Sequence, residues 1–278
     1  VAAVARQELE GALPDFTSVL DLLARVDDLG PDAVGTLVFA RTGEKPAGAI
    51  FIEAGRVCWA LAHGLARRLT DLLLAGAGGA LDRPVIEALY RECRITQRPI
   101  GEVLVERGLV TAEALRAAHL SHTCESILAL TGAHALTWLP RRSGGYSPRF
   151  TFGTGELTIA LARQLEPRRA ASVGAELARV ANDEAAAIGF LRSPHAAVPL
   201  PLAALGAAPA SLQELVTFAR LVVSMRDMAT AVASPLKVVC ASLPCGRTLV
   251  SFGDDPLVLA AVSDDPMTTA RVLRRAAS

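Results

Sequence analysis

The sequence predicts a mixed α+β (α/β) protein of two domains, each built on an antiparallel sheet. Three observations predict it. Short apolar runs separated by turn residues occupy positions 35–60. From Arg67 the apolar spacing becomes helical. Beyond about residue 170 a second series follows in the order helix, two strands, helix, three strands, helix. With 278 residues, 51% of them hydrophobic, the chain can bury two cores and is not disordered as a whole. The first domain is expected over 1–168, with helices inserted at about 67–130, and the second over 173–278.

The elements follow in order. Val19, Leu22, Leu23 and Val26 recur at helical spacing after Thr17-Ser18, and Gly30-Pro31 should end that helix. Gly35–Ala40 and Ala47–Ile52 read as strands joined through Thr42–Pro46, and Glu53–Arg56 turns the chain into a third strand, Val57–Ala60. Leu69, Leu72 and Leu73 begin a helix that ends at Gly76–Gly79, and Val85–Cys93 gives another. Gly108 should stop a short helix that follows Pro99, and Thr111 should cap a longer one through Leu115, Leu120, Ile127 and Leu128. Thr137-Trp138-Leu139 is a candidate strand, Arg141–Arg149 a loop, Leu157–Leu165 a helix and Glu166–Arg169 a linker.

In the second part, Ala175–Ala186 reads as helix, and Ala187–Leu191 and Ala196–Leu200 as strands joined at Ser193-Pro194-His195. Ser211 with Glu214 three residues on forms a capping box at the head of a long helix. Leu236–Leu243, Arg247–Phe252 and Leu257–Val262 are three further strands. Pro266 stands at a favoured first position of a last helix.

Several function classes are unfavoured. Net charge is zero, with no basic stripe, so a nucleic-acid partner is not expected. No run reaches a membrane span, and Glu8, Glu10 and Asp15 interrupt any leader-like start, so a cytoplasmic protein is expected. Five cysteines without zinc spacing read as buried thiols, with Cys240 and Cys245 unbridged.

The order of elements after Val173 resembles the roadblock/dynein light-chain family. Ile188–Leu191, the helix from Ser211 and Pro256–Val262 carry the resemblance. It implies a five-stranded antiparallel sheet, a homodimer and a Ras-like small GTPase as partner. The first part is similar to PATAN-type bacterial signalling domains through Gly35-Thr36-Leu37, Gly48–Val57 and Trp59-Ala60. Within it, Pro99–His122 is similar to the N-terminal domain of secretion ATPases, some of which bind cyclic di-GMP. Here Pro99 directly precedes Ile100-Gly101, and His122 stands at the family's glutamine. That likeness implies Arg98, Gly101 and Arg107 as nucleotide contacts.

Candidate chemistry is sparse. His119 and His122 share one helix with Cys124 and Glu125 nearby, but no second ligand cluster accompanies them. Gly76–Gly79 lacks the Gly-Lys-Ser/Thr of a phosphate loop. Ser143–Tyr146 lacks the setting of a nucleophile. Arg141, Arg142 and Arg149 around Tyr146 suit either a solvated loop or an anion grip. Asp254-Asp255 and Asp264-Asp265 suit turns and caps. No catalytic residue, cofactor or metal site is assigned. The long helix offers an interface of Leu212, Leu215, Val216, Phe218, Ala219, Val222, Val223 and Met225, because Leu221 and its apolar neighbours exceed one stripe. The sequence therefore reads as a non-enzymatic signalling adaptor or scaffold, with cyclic-dinucleotide sensing at 98–122 as the alternative.

Overall fold

The computed structural model describes residues 14–40, 46–76, 81–96, 98–133, 135–142, 146–182, 184–192, 198–206, 208–232, 238–253 and 256–278. The turn expected at 42–45, most of the glycine run at 76–79, Ser143–Gly145, the turn at 193–195, the strand start at Leu236 and the pair Asp254-Asp255 lie outside them. Among the described residues are nine α-helices, a short 3-10 turn and two antiparallel sheets of four and five strands. The chain forms two compact units, one from residues 29–152 and one from 1–28 with 153–278.

In the 29–152 unit, β1 (Gly35–Ala40), β2 (Pro46–Glu53) and β3 (Arg56–Ala62) form the expected meander. A fourth strand, β4 (Ala135–Pro140), pairs antiparallel with the free side of β1, so the sheet order is β3-β2-β1-β4. The strands alternate, with Leu37, Phe39, Ile50 and Ile52 buried. Four helices stand between β3 and β4: α2 (Leu69–Gly76), α3 (Arg83–Thr96), α4 (Ile100–Glu106) and α5 (Ala112–Leu130). They share a core of Leu73, Leu81, Ile86, Leu89, Val103, Leu104 and Leu115. Gly108 ends α4 at φ +65°, where a Cβ would be strained. Thr111 caps α5, its hydroxyl accepting the Ala114 N–H at 3.1 Å.

The other unit begins with α1 (Pro14–Asp27), which starts before Thr17-Ser18 and buries Val19, Leu22, Leu23 and Val26. After the insertion come α6 (Thr154–Leu165) and α7 (Pro167–Ala181). The expected linker at Glu166–Arg169 is instead the head of α7. Pro167 sits in its first turn, where a missing N–H costs nothing. Helix α7 ends at Asn182 in the left-handed region, earlier than the expected Ala186.

Then follow β5 (Ala186–Leu191), β6 (Leu200–Leu205), α8 (Leu212–Val232), β7 (Val238–Ser242), β8 (Thr248–Phe252), β9 (Leu257–Ser263) and α9 (Pro266–Ala277). The element order from α7 onward is the expected one. The second strand is not where it was expected, over Ala196–Leu200, but begins at Leu200. Pro201 is accommodated because β6 is an edge strand and its pairing with β5 slips between Gly189 and Phe190, opposite Pro201.

The sheet order is β6-β5-β9-β8-β7, all antiparallel. On one face lies α8: Leu215 and Ala219 meet Ile188 and Phe190, and Val222 and Met225 meet Leu249, Val258 and Ala260. On the other face lies α7, with α9 beside it. A Cβ on Gly189 would stand 2.2 Å from Val173 and 2.9 Å from Leu259, so this glycine sets how closely α7 approaches. Ser211 and Glu214 form the expected box: the Ser211 hydroxyl accepts the Glu214 N–H at 3.1 Å. The Glu214 carboxylate reaches one residue further back than expected, to the Ala210 N–H at 2.9 Å.

The sequence boundary at 168 places α1 and α6 in the first domain, whereas both pack with the second sheet's unit. The reason is a polar junction. The Thr154 hydroxyl donates to the Asp27 carboxylate and accepts the Leu212 N–H at 2.9 Å. The other Asp27 oxygen accepts the Gln213 N–H at 3.2 Å. One carboxylate and one hydroxyl thus join the end of α1 to the starts of α6 and α8. Gly153 and Gly155 make room, since a Cβ on either would lie 2.1–2.4 Å from the Ala210 or Pro209 carbonyl oxygen.

Thr154→Val should lower the stability of this unit by about 2 kcal/mol, because it leaves a buried N–H unpartnered. Gly155→Ala should destabilise it through the backbone clash. Urea unfolding followed by far-UV circular dichroism checks both. A midpoint unchanged by either substitution would show that the junction does not hold the helices.

Candidate functional site

In the 29–152 unit, aromatic and basic side chains surround a cavity of about 570 Å³. Its walls come from β3, α3, α4, α5 and the segment 146–150. Trp59 from β3 lies between two histidines of α5, its ring centroid 4.9 Å from that of His119 and 4.8 Å from that of His122. The spacing of three residues puts both imidazoles on one helix face. Phe152 meets His119 edge-on at 5.1 Å, and the Arg116 guanidinium stands 4.7 Å over the Phe152 ring.

His119 is 8% exposed. Burial pushes its imidazole down to about 4 from an ordinary 6.5, with the neighbouring His122 adding to the effect and a hydrogen bond to the Cys58 backbone opposing it. Burial also lowers His122, against the attraction of Glu125. Both rings are therefore neutral near pH 7, and His119 Nε2 and His122 Nδ1 have no hydrogen-bond partner among the described residues. Trp59 stacks on His122 and meets His119 at a tilt, so it packs against both rings. The Cys58 thiol is pushed up to about 12, mainly by burial, which makes it inert as a nucleophile.

The upper walls are more open. Tyr90 and Arg94, four residues apart on α3, both line the cavity, and Tyr90 is 55% exposed. Arg98, Gly101 and Glu102 line it at the start of α4, and Tyr146 lines it from the segment 146–150. Burial raises the Tyr146 phenol, which keeps it protonated and a donor. Arg98 uses a single terminal nitrogen for both Glu106 oxygens, at 2.6 and 2.7 Å. Its other guanidinium nitrogens make neither of these bonds.

Of the three nucleotide contacts expected at 98–122, the structure brings Arg98 and Gly101 to one cavity. Arg107 does not line it and pairs with Glu92. Of the loop arginines, Arg141 and Arg142 line a second, small cavity with Tyr146, and Arg149 does not. Arg149 pairs with Glu113 at 3.1 Å, and Arg141 lies 5.7 Å over the Phe51 ring and donates to the Thr36 hydroxyl. Glu125 pairs with Arg67 at 3.0 Å, and no group of three potential metal ligands occurs among the described residues. Spacing alone could not reveal Trp59, Tyr90 and Arg94 as cavity residues, because two elements distant in the chain, β3 and α3, bring them together.

In the other unit, the eight interface candidates divide by face. Leu212, Leu215, Ala219, Val222 and Met225 are buried against their own sheet and neighbouring helices. Val216, Phe218 and Val223 are half-buried at the flanks. The expectation that the apolar surface of α8 exceeds one stripe is thus narrowed, since one sheet covers most of it. The outer face carries Leu221, 40% exposed, and Met228, 61% exposed, seven residues apart and so two turns along one line. Strand β7 ends the sheet and has a partner on one side only among the described strands. Cys58, Cys93 and Cys124 are buried as expected. Cys240 on β7 and Cys245 after it are exposed, because an edge strand and its turn leave them outside the core.

No protein-family model and no curated protein matches the chain. No helix among the described residues is long and apolar enough to cross a membrane.

The depressed His119 sets a pH dependence. The unfolded chain binds the proton first, so stability is full above about 6.5 and falls as pH drops towards 4, by up to about 3 kcal/mol. Both tryptophans, Trp59 and Trp138, lie in this unit, so denaturation followed by tryptophan fluorescence reads it selectively. His119→Gln should flatten the limb between pH 6.5 and 4.5. An equally steep limb in the variant would assign it to other groups.

Proposed function

We propose that the protein is a non-enzymatic signalling adaptor whose unit of residues 1–28 and 153–278 dimerises in the manner of roadblock/dynein light-chain domains and engages a Ras-like small GTPase. One observation carries this reading: a five-stranded antiparallel sheet of order β6-β5-β9-β8-β7, with α8 on one face and α7 and α9 on the other. Two features of the surface support it. Strand β7 has a partner on one side only among the described strands, which suits strand addition. Leu221 and Met228 form an apolar line on the outer face of α8. The 29–152 unit, in the PATAN-like part of the chain, then supplies a second input, and the assembly works in the cytoplasm.

Light scattering coupled to size exclusion should give a dimer at micromolar concentration. The double variant Leu221→Glu/Met228→Glu, altered only at exposed positions, should shift it to monomer. A wild-type monomer at 50 μM would end the dimer claim. A pull-down with Ras-like GTPases of the same genome, loaded with GDP or a GTP analogue, tests the partner. Failure to retain any of them in either state would remove it.

A second reading, cyclic-dinucleotide sensing by the 29–152 unit, is favoured by the joint placement of Arg98 and Gly101 on the cavity. Calorimetry with cyclic di-GMP tests it directly.

A further inference from the structure

We infer that the cavity beside Trp59 is a binding site for one aromatic ring system carrying one anionic group, a ligand of about mononucleotide size. This goes beyond the adaptor reading and depends on no part of it. It concerns the same cavity as the cyclic-dinucleotide reading but assigns a different ligand.

Four observations lead to it. The volume, about 570 Å³, falls in the range of small-ligand pockets. The lining is mainly apolar and aromatic, with Trp59, Tyr90, Tyr146 and Phe150 offering ring faces or edges to a flat group. Tyr90 stays 55% exposed although its ring lines a cavity, so covering it with another ring removes apolar surface from water. Two cations, Arg94 and Arg98, complete the lining. Arg94 lies one turn from Tyr90 on α3, and Arg98 follows where the chain leaves that helix.

The pairing of Arg98 with Glu106 leaves this arrangement usable. Both contacts go through one nitrogen, and a guanidinium carries five N–H donors in a fixed fork, so a second anion can be bound by the remaining edge. Glu102, which also lines the cavity, disfavours an extended polyanion and favours a single charged group placed towards the arginines. A ring on Tyr90 with its anionic substituent on Arg94 and Arg98 fits the one-turn spacing along α3. A ligand with two rings and two phosphates needs a second cationic edge, and Arg107, the one expected to supply it, does not line this cavity.

Calorimetry on the full chain should use five probes: guanosine monophosphate, indole-3-acetate, guanosine, inorganic phosphate and cyclic di-GMP. The expected result is micromolar binding of guanosine monophosphate, indole-3-acetate or both. Binding of the first alone identifies a nucleotide, and of the second alone an aromatic acid. Tyr90→Ala and Arg98→Gln should each weaken binding about tenfold, the scale of one stacking or one charge-assisted contact. Both side chains are exposed, so circular dichroism should show both variants folded. Equal affinity for guanosine and its monophosphate, or for phosphate alone and the monophosphate, would overturn the proposal. So would variants that bind like the wild type, or silence from all five probes. Binding of cyclic di-GMP at least tenfold tighter than the single-ring probes would overturn it in favour of the dinucleotide reading.

Discussion

Thr154 and Asp27 lie 127 residues apart, and a hydrogen bond between their side chains joins the end of α1 to the start of α6. The same two side chains accept the backbone N–H groups of Leu212 and Gln213 at the head of α8. The first N–H groups of a helix have no partner within it, and a buried helix start is costly unless something accepts them. Here a carboxylate does so, a favourable choice at the positive end of the helix dipole. Glycines at 153 and 155 let the backbones approach closely enough for the contact to form. The division of the chain follows from this junction. Because α1 is tied to α6 and α8, residues 29–152 stand as an insertion within the unit that holds the second sheet.

The inserted unit is organised around a different constraint. Trp59 is held between two neutral histidines, and Phe152 closes on one of them. Burying an imidazole nitrogen without a hydrogen-bond partner costs stability, and the cost rises when acid forces the ring to charge. The cluster therefore gives a rigid aromatic wall at the expense of acid tolerance. Around that wall the α2–α5 helices have their own core, so the cavity rests on packed elements and not on loops alone.

Much of the fold was legible in the sequence because turns and caps are local. Gly108, Thr111, Ser211 with Glu214, and Pro266 each marked a helix end where the structure has one. Strand β1 matched to the residue, since alternation and flanking turns both act over a few positions. The errors arose where one signal had two meanings. Pro167 marks a linker or a first helical turn, and only the packing of α7 against Gly189 decides between them. Pro199 and Pro201 blurred the start of β6, because proline is tolerated on an edge strand and the sequence does not say which strand is the edge.

The sequence by itself determined the kinds and order of the elements, the caps that end them and the residues able to form a core. Those properties depend on neighbours a few positions away. Only the tertiary structure decided which sheet α1 and α6 serve, which side of α8 remains outside, and that Trp59, Tyr90, Arg94 and Arg98 share one cavity. Each of these depends on contacts between residues dozens to more than a hundred positions apart, for which a single sequence carries no local signature.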